Sequence, residues 1–259
     1  MDLGIAGRRA LVCGGSRGLG RAAALALAEA GVLVTVAGRT GATLDEAAHA
    51  ITGATGVPVA TVVADVTTGP GRDALLAACP APDILLTNSD GPEPGDFRDL
   101  SRADWLQAVD ELMVSPIELI RRTVDGMAER RFGRIVNVVS RSVKIAQGEL
   151  SLSNGARSGL VGFVAGIARS FVGHGVTVNN ILPGPFDTDG QRRHVRGMAE
   201  RSGRPFDAIW AEREAGNPAG RFGRPEEFGN ICAFLCSAHA GFITAQNILI
   251  DGGGYPGTF

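Results

Sequence analysis

Short apolar runs alternate along the chain with longer segments in which apolar and polar residues follow a helical period. The runs predict strands at Arg9–Cys13, Val32–Val36, Val57–Val63, Asp83–Leu86, Arg134–Val139, Val176–Ile181 and Asn247–Ile250. The segments between them predict helices at about 18–30, 41–52, 70–78, 101–113, 116–130, 152–173 and 225–237. Most of the runs are almost continuously apolar, which is typical of parallel strands covered on both faces. The pattern predicts a single Rossmann-type α/β domain over residues 1–259, with a doubly wound parallel sheet in three α/β/α layers.

Two segments add detail to this alternation. Ser115-Pro116-Ile117-Glu118 offers an N-cap serine, a proline at the first helical position and a capping-box glutamate. A new helix is therefore expected to begin there. Residues 189–219 interrupt the α/β rhythm between the sixth strand and the next helix. We predict that this segment is an insertion that covers the substrate.

Composition and charge exclude several classes of protein. Of the 259 residues 44% are hydrophobic, and the formal net charge of −2 gives no reason to expect nucleic acid or an anionic membrane as a partner. The chain has no apolar stretch near the roughly 20 residues of a membrane span and no signal-peptide pattern at its start, which favours a cytoplasmic protein. Four scattered cysteines favour a reducing compartment, and we interpret Cys232 and Cys236 as buried apolar side chains rather than metal ligands.

A glycine-rich turn joins the first predicted strand to the first predicted helix. Its spacing, Gly-x-x-x-Gly-x-Gly, lets backbone amides and the helix N-terminus face a pyrophosphate. The residues predicted to contact a dinucleotide here are Gly14, Ser16, Arg17, Gly18, Leu19 and Gly20. The alternative is a tight turn without a ligand.

The end of the second predicted strand indicates which dinucleotide binds. An NAD site usually has a carboxylate there for the ribose hydroxyls, but this strand ends in Val36-Ala37-Gly38-Arg39-Thr40. Arg39, together with Arg17 in the turn, suits a 2′-phosphate. The sequence therefore favours NADP over NAD, unless Arg39 is an ordinary exposed residue at a strand end.

Further motifs follow the predicted strands. They are Asp65-Val66, Asn88, Asn137–Ser140, Pro183-Gly184 with Thr188, and Asp251–Gly253. Together with the glycine-rich turn, they give the chain a resemblance, over nearly its whole length, to the short-chain dehydrogenase/reductase family, and its general appearance is similar to bacterial 3-oxoacyl-acyl-carrier-protein reductases. The resemblance implies a homotetramer or homodimer. It also implies cofactor contacts from Asp65, Val66, Asn88, Pro183, Gly184 and Thr188.

The resemblance breaks down at the catalytic positions. Ser140 stands where the family has its serine, which orients the substrate carbonyl. The family's tyrosine position holds Ser153, its lysine position holds Arg157, and its asparagine position holds Leu112. A serine hydroxyl has a far higher pKa than a phenol, so Ser153 cannot simply inherit the acid/base role. Arg157 can hold a ribose or phosphate oxygen but stays protonated near neutrality.

The chain contains one lysine, Lys144, and one tyrosine, Tyr255. Lys144 lies four residues after Ser140, at the edge of the sheet where ligands bind, so it is either a proton donor or substrate ligand or a solvated loop residue. Tyr255 belongs to the C-terminal tail, which either packs on a subunit or reaches into a neighbouring subunit's site. Arg141, in the same loop as Lys144, could bind a substrate carboxylate.

The segment 189–219 is rich in arginine. Its basic side chains Arg192, Arg193, Arg196, Arg201 and Arg204 suit an anionic substrate or a carrier's phosphopantetheine arm, or else form the solvated face of a helix. We interpret His174 and His194 as structural.

These inferences predict an atypical NADP-dependent short-chain oxidoreductase that acts on a ketone or secondary alcohol. The predicted catalytic residues are Ser140, Lys144, Ser153 and Arg157. The expected partner is a small or carrier-bound carbonyl substrate, and no metal is expected. A dehydratase, isomerase or cyclase on the same fold, or a catalytically silent cofactor-binding subunit, are the alternatives.

Overall fold

The computed structural model describes residues 1–258 and contains, within them, a seven-stranded parallel sheet with helices on both faces. In chain order the strands are β1 (Arg9–Cys13), β2 (Leu33–Gly38), β3 (Ala60–Val63), β4 (Ile84–Thr87), β5 (Gly133–Val138), β6 (Val176–Pro183) and β7 (Asn247–Ile250). Their order across the sheet is β3-β2-β1-β4-β5-β6-β7. The predicted doubly wound α/β fold is confirmed.

Helices pack on the sheet in two groups, each over its own apolar core. In chain order the α-helices are α1 (Gly18–Glu29), α2 (Gly41–Thr55), α3 (Gly69–Ala78), α4 (Arg102–Val109), α5 (Ser115–Glu129), α6 (Ser151–Val172), α7 (Asp189–Ser202), α8 (Phe206–Ala215) and α9 (Pro225–Cys236). The segment 189–219, whose arginines the sequence left open as the solvated face of a helix, contains the two helices α7 and α8.

The third strand is shorter than predicted. It begins at Ala60 rather than Val57, because the amides before it bond to side chains of α2 instead of a neighbouring strand. The Val57 N–H donates to Thr55 Oγ1 at 3.2 Å, and the Val59 N–H donates to Thr52 Oγ1 at 3.2 Å.

The predicted position of this helix start is confirmed, since α5 begins at Ser115, but the predicted N-cap role of Ser115 is wrong. Ser115 has helical backbone angles, and a π-helical turn, Asp110–Val114, joins α4 to α5 without a break. The Ser115 N–H donates to the carbonyl of Asp110, five residues back, and Pro116 has no N–H to continue the ordinary ladder. The Ser115 hydroxyl does not cap a helix but donates to the Val66 carbonyl at 2.6 Å.

Parallel strands place all their carboxyl ends at one edge of the sheet, and strand order reverses there between β1 and β4. In such sheets, ligands bind in the crevice at this reversal. The glycine-rich turn leaves β1, Asn88 follows β4, and Ser140 lies just after β5. The topology therefore brings three of the predicted motifs to one edge.

A row of polar side chains, buried except for the exposed Asn247, crosses four strands close to this edge. Thr87, Asn137, Asn180 and Asn247 are register partners on β4, β5, β6 and β7. The Thr87 hydroxyl donates to Asn137 Oδ1 at 2.7 Å, Asn137 Nδ2 donates to Asn180 Oδ1 at 3.0 Å, and Asn180 Nδ2 donates to Asn247 Oδ1 at 2.8 Å. The row fixes the relative register of the strands that carry the site.

All four cysteines are buried thiols, as predicted for Cys232 and Cys236. Burial raises the pKa of Cys13 to about 12, so near pH 8 only about one molecule in 10⁴ carries a thiolate there. We expect Ellman's reagent to titrate none of the four thiols quickly in the native protein and all of them after unfolding in guanidinium. A thiol that reacts within seconds in the native protein would contradict this prediction.

Candidate functional site

A cleft of about 560 Å³ lies at the carboxyl edge of β1, β2 and β4. Most of the residues predicted to bind a dinucleotide line it: Gly14, Ser16, Arg17, Gly18, Leu19, Arg39, Asp65, Val66, Asn88 and Thr188. Residues that are remote in sequence therefore share one surface. The cleft runs between residues at the end of β2, such as Arg39, and the first residues of α7, such as Asp189.

The glycine-rich turn needs glycine for both its backbone shape and its packing. Gly14 and Gly18 have positive φ angles of 62° and 53°. A Cβ on Gly20 would lie 2.8 Å from the carbonyl carbon of Gly14, and a Cβ on Gly15 would lie 2.8 Å from Val36 Cβ. The turn can thus pass close to the sheet and deliver the N-terminus of α1 into the cleft.

The N-terminus of α1 has no side-chain cap. Its N-cap residue, Arg17, has extended backbone angles and an exposed side chain. Uncapped first-turn amides, combined with the positive end of the helix dipole, form a site that suits an anion. The geometry fits the pyrophosphate of a dinucleotide.

Arg39, at the far end of the cleft, forms an ion pair with Asp90 that the sequence did not predict. Both side chains are largely exposed, at 65% and 74%. The nearby Asp65 carboxylate accepts hydrogen bonds from the N–H and hydroxyl of Thr67, at 3.0 and 2.7 Å. Desolvation raises the pKa of Asp65, but these hydrogen bonds outweigh it and lower the pKa overall.

Arg157 lines a second, smaller cavity that shares Asn88 and Glu111 with the cleft. Its side chain is buried, with Nη1 donating to the Val138 carbonyl at 2.9 Å and Nε donating to Ser153 Oγ at 3.2 Å. Desolvation lowers the pKa of Arg157 to about 10, which still leaves it protonated at neutral pH. Arg157 therefore supplies a fixed positive charge and Ser153 helps to hold it.

Ser140 and Lys144 lie on the loop between β5 and α6. Ser140 Oγ accepts a hydrogen bond from the Ser142 N–H at 3.1 Å, and a hydroxyl that accepts one bond keeps its proton for another partner. The Lys144 ammonium lies over the ring of Tyr255, with Nζ 5.4 Å from the ring centroid. Sequence analysis did not foresee this contact between the single lysine and the single tyrosine within one chain.

Glu111 is a site residue that sequence reasoning missed. It lies in the π-helical turn, lines both the cleft and the smaller cavity, and accepts a hydrogen bond from Gln107 Nε2 at 2.8 Å. Its neighbour Leu112 occupies the position at which the resemblance expects asparagine. The sequence does show a carboxylate beside the expected asparagine position. That Glu111 faces the site becomes clear only from the π-helical turn that contains it.

The arginines of helices α7 and α8 differ in their surroundings. Arg192 pairs with Asp187 at 2.8 Å, and Arg204 pairs with Glu212 at 2.5 Å. Arg193 lines the mouth of the cleft, and Arg196 is exposed. The five arginines therefore do not act as one basic surface.

His194, which we interpreted as structural, faces charged groups from several segments. Burial lowers its pKa first, and Arg213 and Arg201 lower it further, whereas Glu149 and Glu93 oppose this shift. These charged groups belong to α7 itself, to α8, to the loop after β4 and to the turn before α6.

Residues 1–258 contain no group of three or more histidine, cysteine, aspartate or glutamate side chains arranged to hold a metal ion. Nor does this part of the chain contain a helix long and apolar enough to cross a membrane.

A family profile, two relatives and a solved structure that are similar to this chain are all described as reductases. The profile of the family described as enoyl-(acyl carrier protein) reductase matches residues 14–254. Acetoacetyl-CoA reductase of Cupriavidus necator is 35% identical over 66% of this chain and 65% of its own length. The 3-oxoacyl-acyl-carrier-protein reductase of Escherichia coli is 30% identical over 96% of this chain and 98% of its own length. The structure of L-sorbose reductase from Gluconobacter frateurii, complexed with NADPH and L-sorbose, has a TM-score of 0.93 at 27% identity, with both chains covered in full.

Proposed function

Because the chain belongs to the short-chain dehydrogenase/reductase family, we propose that it is an NADP(H)-dependent oxidoreductase that interconverts a ketone and a secondary alcohol. The observation that carries the proposal is the cleft of about 560 Å³, with the glycine-rich turn and the uncapped helix N-terminus at its wall. When bound, the nicotinamide supplies or accepts the hydride. The chain's own residues would bind the cofactor, orient the substrate and transfer the proton.

The residues of the cleft fit NADP(H). The amides of Gly14–Gly20 would hold the pyrophosphate, and Asp65 and Val66 would border the adenine. Arg17 and Arg39 would hold the 2′-phosphate. Arg157 would hold the nicotinamide ribose, and the residues expected beside the nicotinamide are Asn88, Pro183, Gly184 and Thr188.

We expect the Arg39→Asp variant to lose or reverse the preference for NADPH over NADH. The substituted carboxylate would repel the 2′-phosphate and would stand beside Asp90, which already competes with that phosphate for Arg39. The matched variant Asp90→Asn should shift the preference in the opposite direction. Fluorescence titration of both cofactors checks this, and equal affinities in the unmutated protein would contradict it.

Three side chains would assist the reaction at the substrate. Ser140 would donate a hydrogen bond to the substrate oxygen and orient it. Lys144 would supply the proton in reduction and accept it in oxidation. The fixed charge of Arg157, secured by Ser153, would hold the cofactor side of the site. In this proposal, these residues do the work of the tyrosine and lysine that the family pattern has where this chain has Ser153 and Arg157.

The similarity to acetoacetyl-CoA and 3-oxoacyl-acyl-carrier-protein reductases supports a 3-oxoacyl compound as one substrate class. The α7–α8 segment would cover the substrate, and the active form would be a homotetramer or homodimer. Incubation with NADPH and a panel of β-keto compounds, followed by the loss of NADPH absorbance, tests the activity. NADPH binding without turnover of any ketone or secondary alcohol would indicate a silent subunit, and a changed product with unoxidised NADPH would indicate non-redox chemistry.

A further inference from the structure

We propose that the substrate carries an anionic group, which Arg213 of α8 and Arg141 of the loop after β5 bind together. This inference rests on the proposed function, because it concerns the substrate of the same site. It differs from the expectation for the five arginines of residues 189–204, since neither residue belongs to that set. The anionic group recognised is a carboxylate or a phosphate.

Arg213 is half-buried and incompletely satisfied. Its Nε atom is shielded from solvent and has no hydrogen-bond partner among the described residues. Its Nη1 atom lies 3.6 Å from the sulfur of Met198, which is only a weak acceptor. A guanidinium normally uses its donors on carboxylate, carbonyl or water oxygens, and a buried donor without a partner is costly. The side chain is therefore held ready for an oxygen ligand.

Arg141 lies close to Arg213 and next to the serine expected to hold the substrate oxygen. Burial is the largest cause of the lowered pKa of Arg213, and the charge of Arg141 is the next. Neither residue forms an ion pair with an acid within residues 1–258. The nearby Glu149 only partly offsets the repulsion and is itself exposed. Two cations in this arrangement favour the arrival of an anion.

The position of the pair indicates its role. Arg141 directly follows Ser140, and Arg213 lies on α8, where its Nη1 contacts Met198 of α7. An anion bound between them would connect α8 to the loop that carries Ser140 and Lys144. The planar guanidinium presents paired donors that match two oxygens of a carboxylate or phosphate, so the pair would also orient the substrate.

The test compares charged substrates with neutral ones of the same shape. Oxo acids of increasing chain length (3-oxobutanoate, 4-oxopentanoate and 5-oxohexanoate) are each assayed beside their methyl esters, and S-acetoacetyl phosphopantetheine beside S-acetoacetyl pantetheine. The variants are Arg213→Met and Arg141→Met. The matched control is Arg169→Met, which removes the same charge from an exposed position on α6.

In the unmutated protein we expect kcat/KM to be higher for the anionic member of at least one pair. Loss of one charge-assisted contact should reduce that value by about 10–100-fold in Arg213→Met or Arg141→Met, mainly through KM, with little change for the neutral member. The control should retain the preference. Preference in the oxo-acid series identifies a carboxylate, and preference in the pantetheine pair identifies the phosphate of a carrier arm.

Two results would overturn the inference. One is equal kcat/KM for the anionic and neutral members of every pair, and the other is an equal loss for both members in the variants. If no ketone is reduced, the proposed function fails, and saturation-transfer NMR of the same pairs decides the inference separately. Binding of an anionic member that depends on Arg213 supports it, and absence of such binding refutes it.

Discussion

Replacing Lys144 by methionine is expected to lower kcat with a confirmed ketone substrate by about 10²–10⁴-fold, the usual effect of removing a positioned acid. Hydride transfer to a carbonyl leaves a negative oxygen, which needs a proton. Arg157 keeps its proton, and Ser153 already accepts a hydrogen bond from it. NADPH affinity should stay nearly unchanged, because Lys144 does not line the part of the cleft described above.

The contact between Lys144 and Tyr255 supplies a control for this prediction. The variant Tyr255→Phe keeps an aromatic face under the ammonium but removes the hydroxyl. If Lys144 donates the proton, Tyr255→Phe should keep most of the activity. If both variants are equally slow, the phenol donates the proton and Lys144 supports it.

Lys144→Arg separates charge from proton transfer. An arginine preserves the cation above the tyrosine ring but cannot release its proton near neutrality. It should therefore be as slow as Lys144→Met. Full turnover in Lys144→Met would assign Lys144 to the solvated loop and leave water as the proton source.

The sheet was the part of the molecule most readily predicted from sequence. Parallel strands covered on both faces are mostly apolar, which located β1 to the residue, and the short apolar run at the sheet edge located β7 equally well. β3 was the exception, because its early amides bond to threonine side chains of α2, a tertiary detail that apolar patterning does not encode. The cleft followed from the same topology, since the glycine-rich turn had to lie at the carboxyl edge.

The chemistry of the site depended on contacts between distant residues and was harder to predict. Local capping rules predicted that Ser115 caps a helix that begins at Pro116. Instead, a π turn directly before Ser115 accommodates the proline without a break in the helix, and Glu111 of this turn lines the smaller cavity. The pairing of Arg39 with Asp90 joins residues from two different strand ends. The helices of the segment 189–219 were hard to predict because they are rich in charged residues. Each of them buries only one side chain, Val195 in α7 and Ile209 in α8.

The row of polar side chains across the sheet is expected to dominate the stability of the site region. In Asn137→Ala, the Thr87 hydroxyl loses its acceptor and Asn180 Oδ1 loses its donor, while all three side chains are buried in the intact protein. Each of these two unpaired groups costs about 1–3 kcal/mol, so the free energy of unfolding should fall by about 2–6 kcal/mol. For a chain of this size that lowers Tm by roughly 10 °C.

Asn247→Ala is the matched control, because it is the same substitution at the exposed end of the same row. Water can replace the side-chain oxygen of Asn247 as the acceptor for Asn180 Nδ2. The free energy of unfolding should therefore fall by less than about 1 kcal/mol. Thermal and urea unfolding of both variants measure the difference. Equal losses would mean that ordinary packing, rather than the chain of hydrogen bonds, holds the strands in register. A much larger loss in Asn137→Ala would show that the row itself fixes the positions at which Asn88 and Ser140 leave the sheet.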